Sequence, residues 1–189
     1  MLSDVLAKSR PTKRFSGVKG VASELFDGAV RTAHHPLTPE FAFKDMKNFL
    51  IGLRLVTKTW NIDKIQTLYI HGHGVKYADG VALEMGDDHL HPSTINGFVP
   101  AFKTVGNYMD SNGEVKFLHC FAGAGEHIMP KLSKAAGCKV SGEIKLNNLS
   151  PVLTPIQNTL GRIVTGDKGD HVRAGVKTYD PDGTVTLEK

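Results

Sequence analysis

The chain has 189 residues, of which 40% are hydrophobic and 22% are charged. These values are typical of a soluble globular protein with one domain, and they exclude a disordered polar protein, a collagen-like repeat and a coiled coil. The formal charge of +4 comes from residues 1–20, which hold five of the 23 basic side chains and one of the 19 acidic ones. Residues 21–189 are therefore balanced in charge, and we expect no nucleic-acid-binding face.

The expected location depends on the targeting segments that the sequence could encode. The longest uncharged stretches are interrupted by Pro, Asn, Ser and Gly, so we expect no membrane-spanning segment. The first ten residues contain Asp4 and Lys8 and no apolar stretch before a cleavage site, so we expect no secretory signal peptide. Two cysteines are too few for a disulfide scaffold. We expect a cytoplasmic protein, or one exported without a cleavable signal peptide.

The N-terminal part of the chain carries few structural signals. Residues 1–37 are glycine-rich and weakly periodic, and we predict a basic arm with no assignable element ahead of one domain over residues 38–189. Thr38-Pro39-Glu40 has the residue types of a helix start. The apolar residues after it predict one long amphipathic helix that reaches Trp60.

The next predicted elements are two strands and a helix. The β-branched and aromatic run from Ile65 to Ile70 predicts a buried strand, which ends at His71-Gly72-His73-Gly74 because the glycines turn the chain out of the sheet. Residues 81–85 predict a second strand, before a polar stretch. Apolar residues spaced three or four apart predict a helix that ends at Ser111-Asn112-Gly113.

The C-terminal half continues the alternation of strands and helices. Residues 115–119 predict a strand before a glycine-rich turn, residues 126–136 a helix, and residues 138–144 an apolar strand. Asp180-Pro181-Asp182-Gly183 predicts the turn of a hairpin. Strands separated by helix-length segments require crossover connections. We therefore predict an α/β fold, a three-layer sandwich with a mostly parallel sheet and helices on both faces.

Reactive residues follow two of the predicted strands. In an open parallel sheet the ligand site lies at the carboxyl ends of the strands, and here one strand ends at His71 and His73 and the other at Cys120. An imidazole would therefore lie near a thiol, and it could supply the base that a thiol with a pKa of about 8.5 needs at neutral pH. The backbone N–H groups of Gly74 and Cys120 could point at a developing oxyanion.

These two motifs resemble those of a known family. Gly72-His73-Gly74 and Cys120-Phe121-Ala122-Gly123 follow apolar strands, in this order and with a helix between them. They are similar to the (Ser or Gly)-His-Gly and Cys-x-(Ser or Ala)-Gly motifs of the caspase, gingipain, legumain and separase group of cysteine peptidases. That group includes the autoprocessing domains of large bacterial toxins. The resemblance extends over residues 65–144.

The resemblance implies a fold, an activity and residue roles. It implies that residues 38–189 form a caspase-like catalytic domain, a cysteine endopeptidase that hydrolyses proteins or peptides without a metal or an organic cofactor. His73 would be the general acid and base, Cys120 the nucleophile, and the N–H groups of Gly74 and Cys120 the oxyanion hole. A bacterial effector or a processing module is the setting that it suggests.

Several alternatives remain open at this point. His71 also precedes a glycine and could be the base in place of His73. A cysteine-dependent α/β-hydrolase could use Cys120 with Asp167 or Asp170 and His171, although Leu118 stands where its nucleophile turn needs a small residue. A catalytically inactive caspase-like binding module would have the same motifs.

Histidine pairs support another alternative, a metal-dependent hydrolase. Imidazoles and carboxylates are ligands of catalytic zinc. The sequence offers His71, His73, His89 and His91, with Asp87, Asp88 and His171.

For two further residues we expect structural roles, a core position for Cys138 and a structural hydrogen bond for His119.

Overall fold

The computed structural model describes residues 2–10, 38–145 and 175–188. Ten strands and three α-helices lie in these ranges, together with a short 3₁₀ helix over Ala122–Ala124. The strands are β1 (Leu2–Ser9), β2 (Glu40–Phe43), β3 (Lys64–His71), β4 (Gly74–Tyr77), β5 (Gly80–Met85), β6 (Asp88–Leu90), β7 (Met109–Leu118), β8 (Lys139–Glu143), β9 (Val176–Tyr179) and β10 (Val185–Glu188). The helices are α1 (Met46–Thr59), α2 (Ile95–Gly106) and α3 (Met129–Ala136).

Seven strands form the main sheet, in the order β10-β9-β8-β7-β3-β1-β2. Strands β8, β7, β3, β1 and β2 pair in parallel, whereas β9 and β10 add an antiparallel hairpin at one edge. Strands β4, β5 and β6 form a separate antiparallel sheet. The prediction of an α/β fold with a mostly parallel sheet is confirmed, and so is the predicted hairpin.

The first strand differs from the predicted basic arm. Strand β1 lies inside the main sheet, between β2 and β3, and its residues Val5 and Ala7 are fully buried. Lys8 is buried too, and its ammonium group pairs with the carboxylate of Glu40 on β2. Asp4 and Lys8 interrupt the apolar residues of this strand, so its sequence shows no strand pattern. The rest of the predicted arm, residues 11–37, lies outside the described residues.

Helix α1 begins later than predicted, because the segment that begins at Glu40 forms strand β2. The helix is capped by Asp45, whose carboxylate accepts a hydrogen bond from the Asn48 N–H at 2.7 Å. Asp88 supplies a second cap, since its Oδ2 accepts from the Met46 N–H at 2.8 Å. Asp88 therefore has a structural role, and the predicted helix start at Thr38-Pro39-Glu40 is wrong.

The bounds of two other helices also differ from the predicted ones. Helix α2 ends at Gly106, and β7 begins at Met109 and runs through the predicted turn at Ser111-Asn112-Gly113. Helix α3 begins at Met129, because the preceding residues form the 3₁₀ helix and turns. Strand β4 was not predicted. Strands β3, β5 and β8 lie within one or two residues of their predicted bounds.

Aromatic contacts show where two helices pack. Phe49 of α1 meets Phe43 of β2 edge to face at 5.1 Å between ring centroids, and Phe102 of α2 stacks on Phe117 of β7 at 6.2 Å. The strand registers and the alternation of side chains put Phe43 and Phe117 on the same face of the main sheet. Helices α1 and α2 therefore share one face. Of the described helices, none is long and apolar enough to cross a membrane.

Candidate active site

The histidine motif lies where the chain leaves the main sheet. His71 is the last residue of β3, pairs in register with Lys8 on β1 and Leu118 on β7, and is only 4% exposed. His73 lies two residues further on and is half-buried. At Gly74 the chain enters β4, the first strand of the small sheet. The two histidines are thus in different surroundings, His71 inside the main sheet and His73 beyond its end.

The cysteine motif follows the neighbouring strand. Strand β7 ends at Leu118, opposite His71, and is followed by the fully buried His119 and the half-buried Cys120. Phe121 has a φ of 63°, a left-handed conformation that costs a non-glycine residue on the order of 1 kcal/mol or more. Backbone strain of this kind concentrates at functional sites, and here it turns the chain sharply after Cys120.

The turn after Cys120 is packed firmly against the sheet. The Phe121 N–H donates to the carbonyl oxygen of Lys145 at 2.7 Å. The Tyr179 hydroxyl on β9 donates to the carbonyl oxygen of Gly123 at 2.8 Å. A methyl group on Gly123 would collide with the backbone of Gly142 on β8, which explains the glycine at this position. The turn is therefore anchored on β8 and β9.

The two motifs meet at their backbones. A Cβ atom on Gly74 would lie 2.8 Å from the carbonyl carbon of Cys120 and 3.1 Å from its nitrogen, and closer still to its carbonyl oxygen. Only glycine allows this approach. The predicted proximity of the histidine motif and the cysteine motif is therefore present in the fold.

The peptide group that joins His73 to Gly74 directs its carbonyl oxygen toward the small sheet and its N–H away from it. The Glu84 N–H donates to the carbonyl oxygen of His73 at 2.8 Å, and Gly74 lies opposite Leu83 in the next register position. Residues of an antiparallel pair alternate between hydrogen-bonded and non-hydrogen-bonded positions. The N–H of Gly74 therefore points away from β5, whereas the N–H of Phe121 is taken by Lys145. This arrangement leaves Gly74 as a possible oxyanion donor and rules out Phe121.

A buried glutamate lies between the two motifs. Glu84 of β5 is 6% exposed, and its Oε1 accepts a hydrogen bond from the Ser9 hydroxyl at 2.5 Å. The Ser9 oxygen in turn accepts from the Gly86 N–H at 2.9 Å. Neither Glu84 nor Ser9 was predicted from the sequence to be a site residue. A charged residue inside the otherwise apolar run of β5 was the signal that could have indicated Glu84.

His119 is held as a neutral imidazole. Its Nε2 lies 2.8 Å from the carbonyl oxygen of Glu84, and since a carbonyl only accepts, Nε2 carries the proton. The pKa of His119 is lowered to about 3, chiefly by burial; the hydrogen bond to Glu84 opposes this shift, and the neighbouring His71 and His73 contribute to it. Its Nδ1 makes no hydrogen bond within the described part of the chain. The predicted structural hydrogen bond of His119 is confirmed.

The two thiols lie in different environments. Cys138 is 2% exposed, and burial raises the pKa of its thiol to about 11. Its predicted core position is confirmed, and its thiolate is scarce at neutral pH. Cys120 is half-buried at the end of the sheet. A thiol reagent therefore reaches Cys120 more readily than Cys138.

The histidine pairs of the metal alternative lie on separate elements. His89 is an exposed residue of β6, and the His91 ring lies 2.8 Å from the Ser93 hydroxyl and 3.5 Å from Asp79. Within residues 2–10, 38–145 and 175–188, no three His, Cys, Asp or Glu side chains form a group that could hold a metal ion. Asp87 is exposed in the turn before β6, and three further residues of the open alternatives lie outside the described ranges. They are Asp167, Asp170 and His171.

The chain matches no protein-family model, and a search of curated proteins finds no match for it either. The described geometry offers a half-buried thiol in a strained turn, a half-buried imidazole on the adjoining segment, and a backbone N–H that the ladder leaves unused.

Proposed function

We propose that the chain is a cysteine endopeptidase, a hydrolase that cleaves protein or peptide substrates. Cys120 is the nucleophile and His73 the general acid and base. The observation that carries this proposal is the close approach of Gly74 to the backbone of Cys120. That contact joins the loop of the proposed base to the loop of the proposed nucleophile, at the carboxyl ends of two adjacent parallel strands.

The proposed reaction uses a thiolate and an imidazolium. The Cys120 thiol gives its proton to His73, and the thiolate sulfur attacks the carbonyl carbon of the scissile peptide bond. The N–H groups of Gly74 and Cys120 stabilise the oxyanion. His73 then protonates the leaving amine as the carbon–nitrogen bond breaks. His73 next takes a proton from the water that attacks the thioester carbon, and it returns this proton to the Cys120 sulfur as the carbon–sulfur bond breaks and the acid is released.

We favour His73 over His71 as the base because of their burial. His71 lies within the ladder of β3, and its neighbours in register are Lys8 and Leu118. A side chain in that position is held over the sheet by packing. His73 follows the strand and directly precedes Gly74, the residue in contact with Cys120. It is therefore better situated to exchange a proton with the thiol.

The caspase-like architecture is part of the same proposal. The parallel strands β3 and β7 are neighbours, and each carries one motif at its carboxyl end. This arrangement supports a caspase-like three-layer sandwich. In such a sandwich, helices also cover the face of the sheet opposite α1 and α2. The motif resemblance supports a role as a bacterial effector or a processing module.

Alkylation and chelation together test this function against the metal-dependent alternative. The full chain is treated with iodoacetamide, the modified cysteine is identified by peptide mapping, and cleavage of a proteome-derived peptide library is followed by mass spectrometry. We expect modification of Cys120 ahead of Cys138, loss of cleavage in proportion to it, and no effect of EDTA. Cleavage that EDTA abolishes and zinc restores would contradict the proposal.

A further inference from the structure

One residue of β5 contacts both proposed catalytic segments through its backbone. The Glu84 N–H donates to the carbonyl oxygen of His73, and the Glu84 carbonyl oxygen accepts from Nε2 of His119, each at 2.8 Å. His119 directly precedes Cys120 in the chain. A continuous path of two hydrogen bonds therefore runs from the residue before the proposed nucleophile to the proposed base.

The two hydrogen-bonding atoms of this path lie close to Gly72, where only a residue without a side chain fits. A Cβ atom on Gly72 would lie 2.6 Å from Nε2 of His119 and 2.8 Å from the carbonyl oxygen of Glu84. Any side chain there would push the two hydrogen-bonding atoms apart. The glycine between the two histidines is thus explained by the hydrogen bond that crosses it.

The path is fixed to the main sheet. The carboxylate of Glu84 accepts the hydroxyl proton of Ser9, the last residue of β1, at 2.5 Å, and the Ser9 oxygen accepts from the Gly86 N–H. Both side chains are buried. Ser9 of β1 is therefore bonded both to Glu84 of β5 and to Gly86, the residue that follows β5.

We propose that His119 and Glu84 are positioning residues, which hold His73 at a fixed place relative to Cys120 through the His119–Glu84–His73 hydrogen bonds. The inference rests on the proposed function, because it assigns His73 and Cys120 as the reacting pair. A displacement of about 1 Å between reacting groups can cost on the order of 10²-fold in rate. Residues that orient a catalytic group through hydrogen bonds must themselves be positioned with the same accuracy.

Two variants of His119 separate the hydrogen bond from the packing of the ring. His119→Phe keeps a ring in the core and removes the donor, whereas His119→Gln keeps an N–H donor at a similar distance from the backbone. We expect His119→Phe to lower kcat about tenfold or more with little change in KM, and His119→Gln to recover most of the loss. Both are measured on the library peptide that the wild-type chain cleaves fastest, with thermal melting as the check of folding.

The rate of Cys120 alkylation gives a readout that does not depend on peptide cleavage. A thiol that loses its imidazole partner has less thiolate at neutral pH, so iodoacetamide should modify Cys120 more slowly in His119→Phe and at nearly the wild-type rate in His119→Gln. Wild-type kcat and alkylation in folded His119→Phe would overturn the proposal. Equal losses in both variants would also overturn it, because the ring and not its N–H would then matter.

Ser9 provides a second test that leaves the core histidine intact. Ser9→Ala removes the donor to Glu84, and Ser9→Thr retains a hydroxyl. We expect kcat to fall several-fold in Ser9→Ala and to recover in Ser9→Thr. Equal kcat values in the two variants would count against the proposal. Failure of the proposed function is a separate result, since Cys120→Ala would then cleave peptides as the wild type does, whatever the His119 variants do.

Discussion

Gly74 lies directly against the backbone of Cys120. A side chain on Gly74 would place its first carbon 2.8 Å from the Cys120 carbonyl carbon, well inside van der Waals contact. This contact joins the segment after β3 to the segment after β7. The segment of the proposed base is thus positioned against the segment of the proposed nucleophile by main-chain packing.

The Gly74 contact predicts a large effect of one methyl group. Gly74→Ala forces two backbone segments apart, so we expect roughly 1–3 kcal/mol of lost stability and a loss of peptide cleavage. Gly97→Ala is the matched control, because apart from its chain neighbours and the backbone of its own helix no described atom lies within 4 Å of the added carbon. Gly97 is in α2, where alanine should stabilise the protein by up to about 1 kcal/mol. Urea denaturation and peptide cleavage measure both effects, and wild-type behaviour of Gly74→Ala would be incompatible with the contact.

The two histidines of the motif should differ in the property that they affect. His73→Ala should lower kcat by about 10²-fold or more, as expected for a general acid and base, and leave the melting temperature nearly unchanged. His71→Ala should lower stability by roughly 1–3 kcal/mol, because His71 is buried in β3. Enzyme kinetics and thermal melting of both variants decide the assignment. If His71→Ala abolishes cleavage at unchanged stability and His73→Ala is nearly silent, the two roles must be exchanged.

His119 should make the stability of the protein depend on pH. Its pKa is about 3 in the folded chain, whereas the ordinary value is 6.5. Between these values the unfolded chain binds a proton that the folded chain does not. The free energy of unfolding therefore falls as the pH falls below about 6.5, by up to about 1.4 kcal/mol per pH unit from this residue. Above that pH the contribution is fully present.

The variant His119→Phe isolates this contribution. Its free energy of unfolding, measured with urea between about pH 7 and about pH 5, should fall less steeply than that of the wild type. The carboxylates that titrate in this range are common to both proteins and cancel in the difference. Parallel curves for the two proteins would show that His119 is protonated as easily in the folded state as in the unfolded one.

Tyr179 should stabilise the turn that carries Cys120. Its hydroxyl, on β9, donates to the Gly123 carbonyl at 2.8 Å in the protein interior. Tyr179→Phe leaves that oxygen unpaired, and we expect a loss of about 1 kcal/mol in the free energy of unfolding. Tyr77→Phe is the control, since the Tyr77 ring is exposed. Equal stabilities of the two variants would mean that the Tyr179 hydrogen bond contributes nothing net.

The sequence predicted the elements whose signal is local. The strand before His71 and the strand before Cys120 are apolar runs, and both are strands of the main sheet. Strand β1 was missed because Asp4 and Lys8 interrupt it, and the partner that satisfies Lys8 is Glu40 on another strand. Strand β2 was missed because its alternating phenylalanines also fit the helical spacing of the residues that follow.

The connection between the two motifs could not be predicted, because its parts are far apart in the chain. Glu84 bonds to Ser9, 75 residues away, and to His119, 35 residues away. A buried glutamate in an apolar strand indicates that a partner exists, but the pattern of residues does not identify that partner. The motif glycines indicate close backbone approaches without specifying what lies there. Those contacts depend on the order of the strands in the sheet.

Peptide cleavage by Cys120→Ala beside Cys138→Ala tests whether Cys120 is the nucleophile. Each full-length variant is shown to be folded by thermal melting and is then incubated with the proteome-derived peptide library, with mass spectrometry as the readout. We predict that the wild type and Cys138→Ala cut the same peptides, whereas Cys120→Ala cuts none above background. Cleavage of the same peptides by Cys120→Ala at the wild-type rate would contradict it.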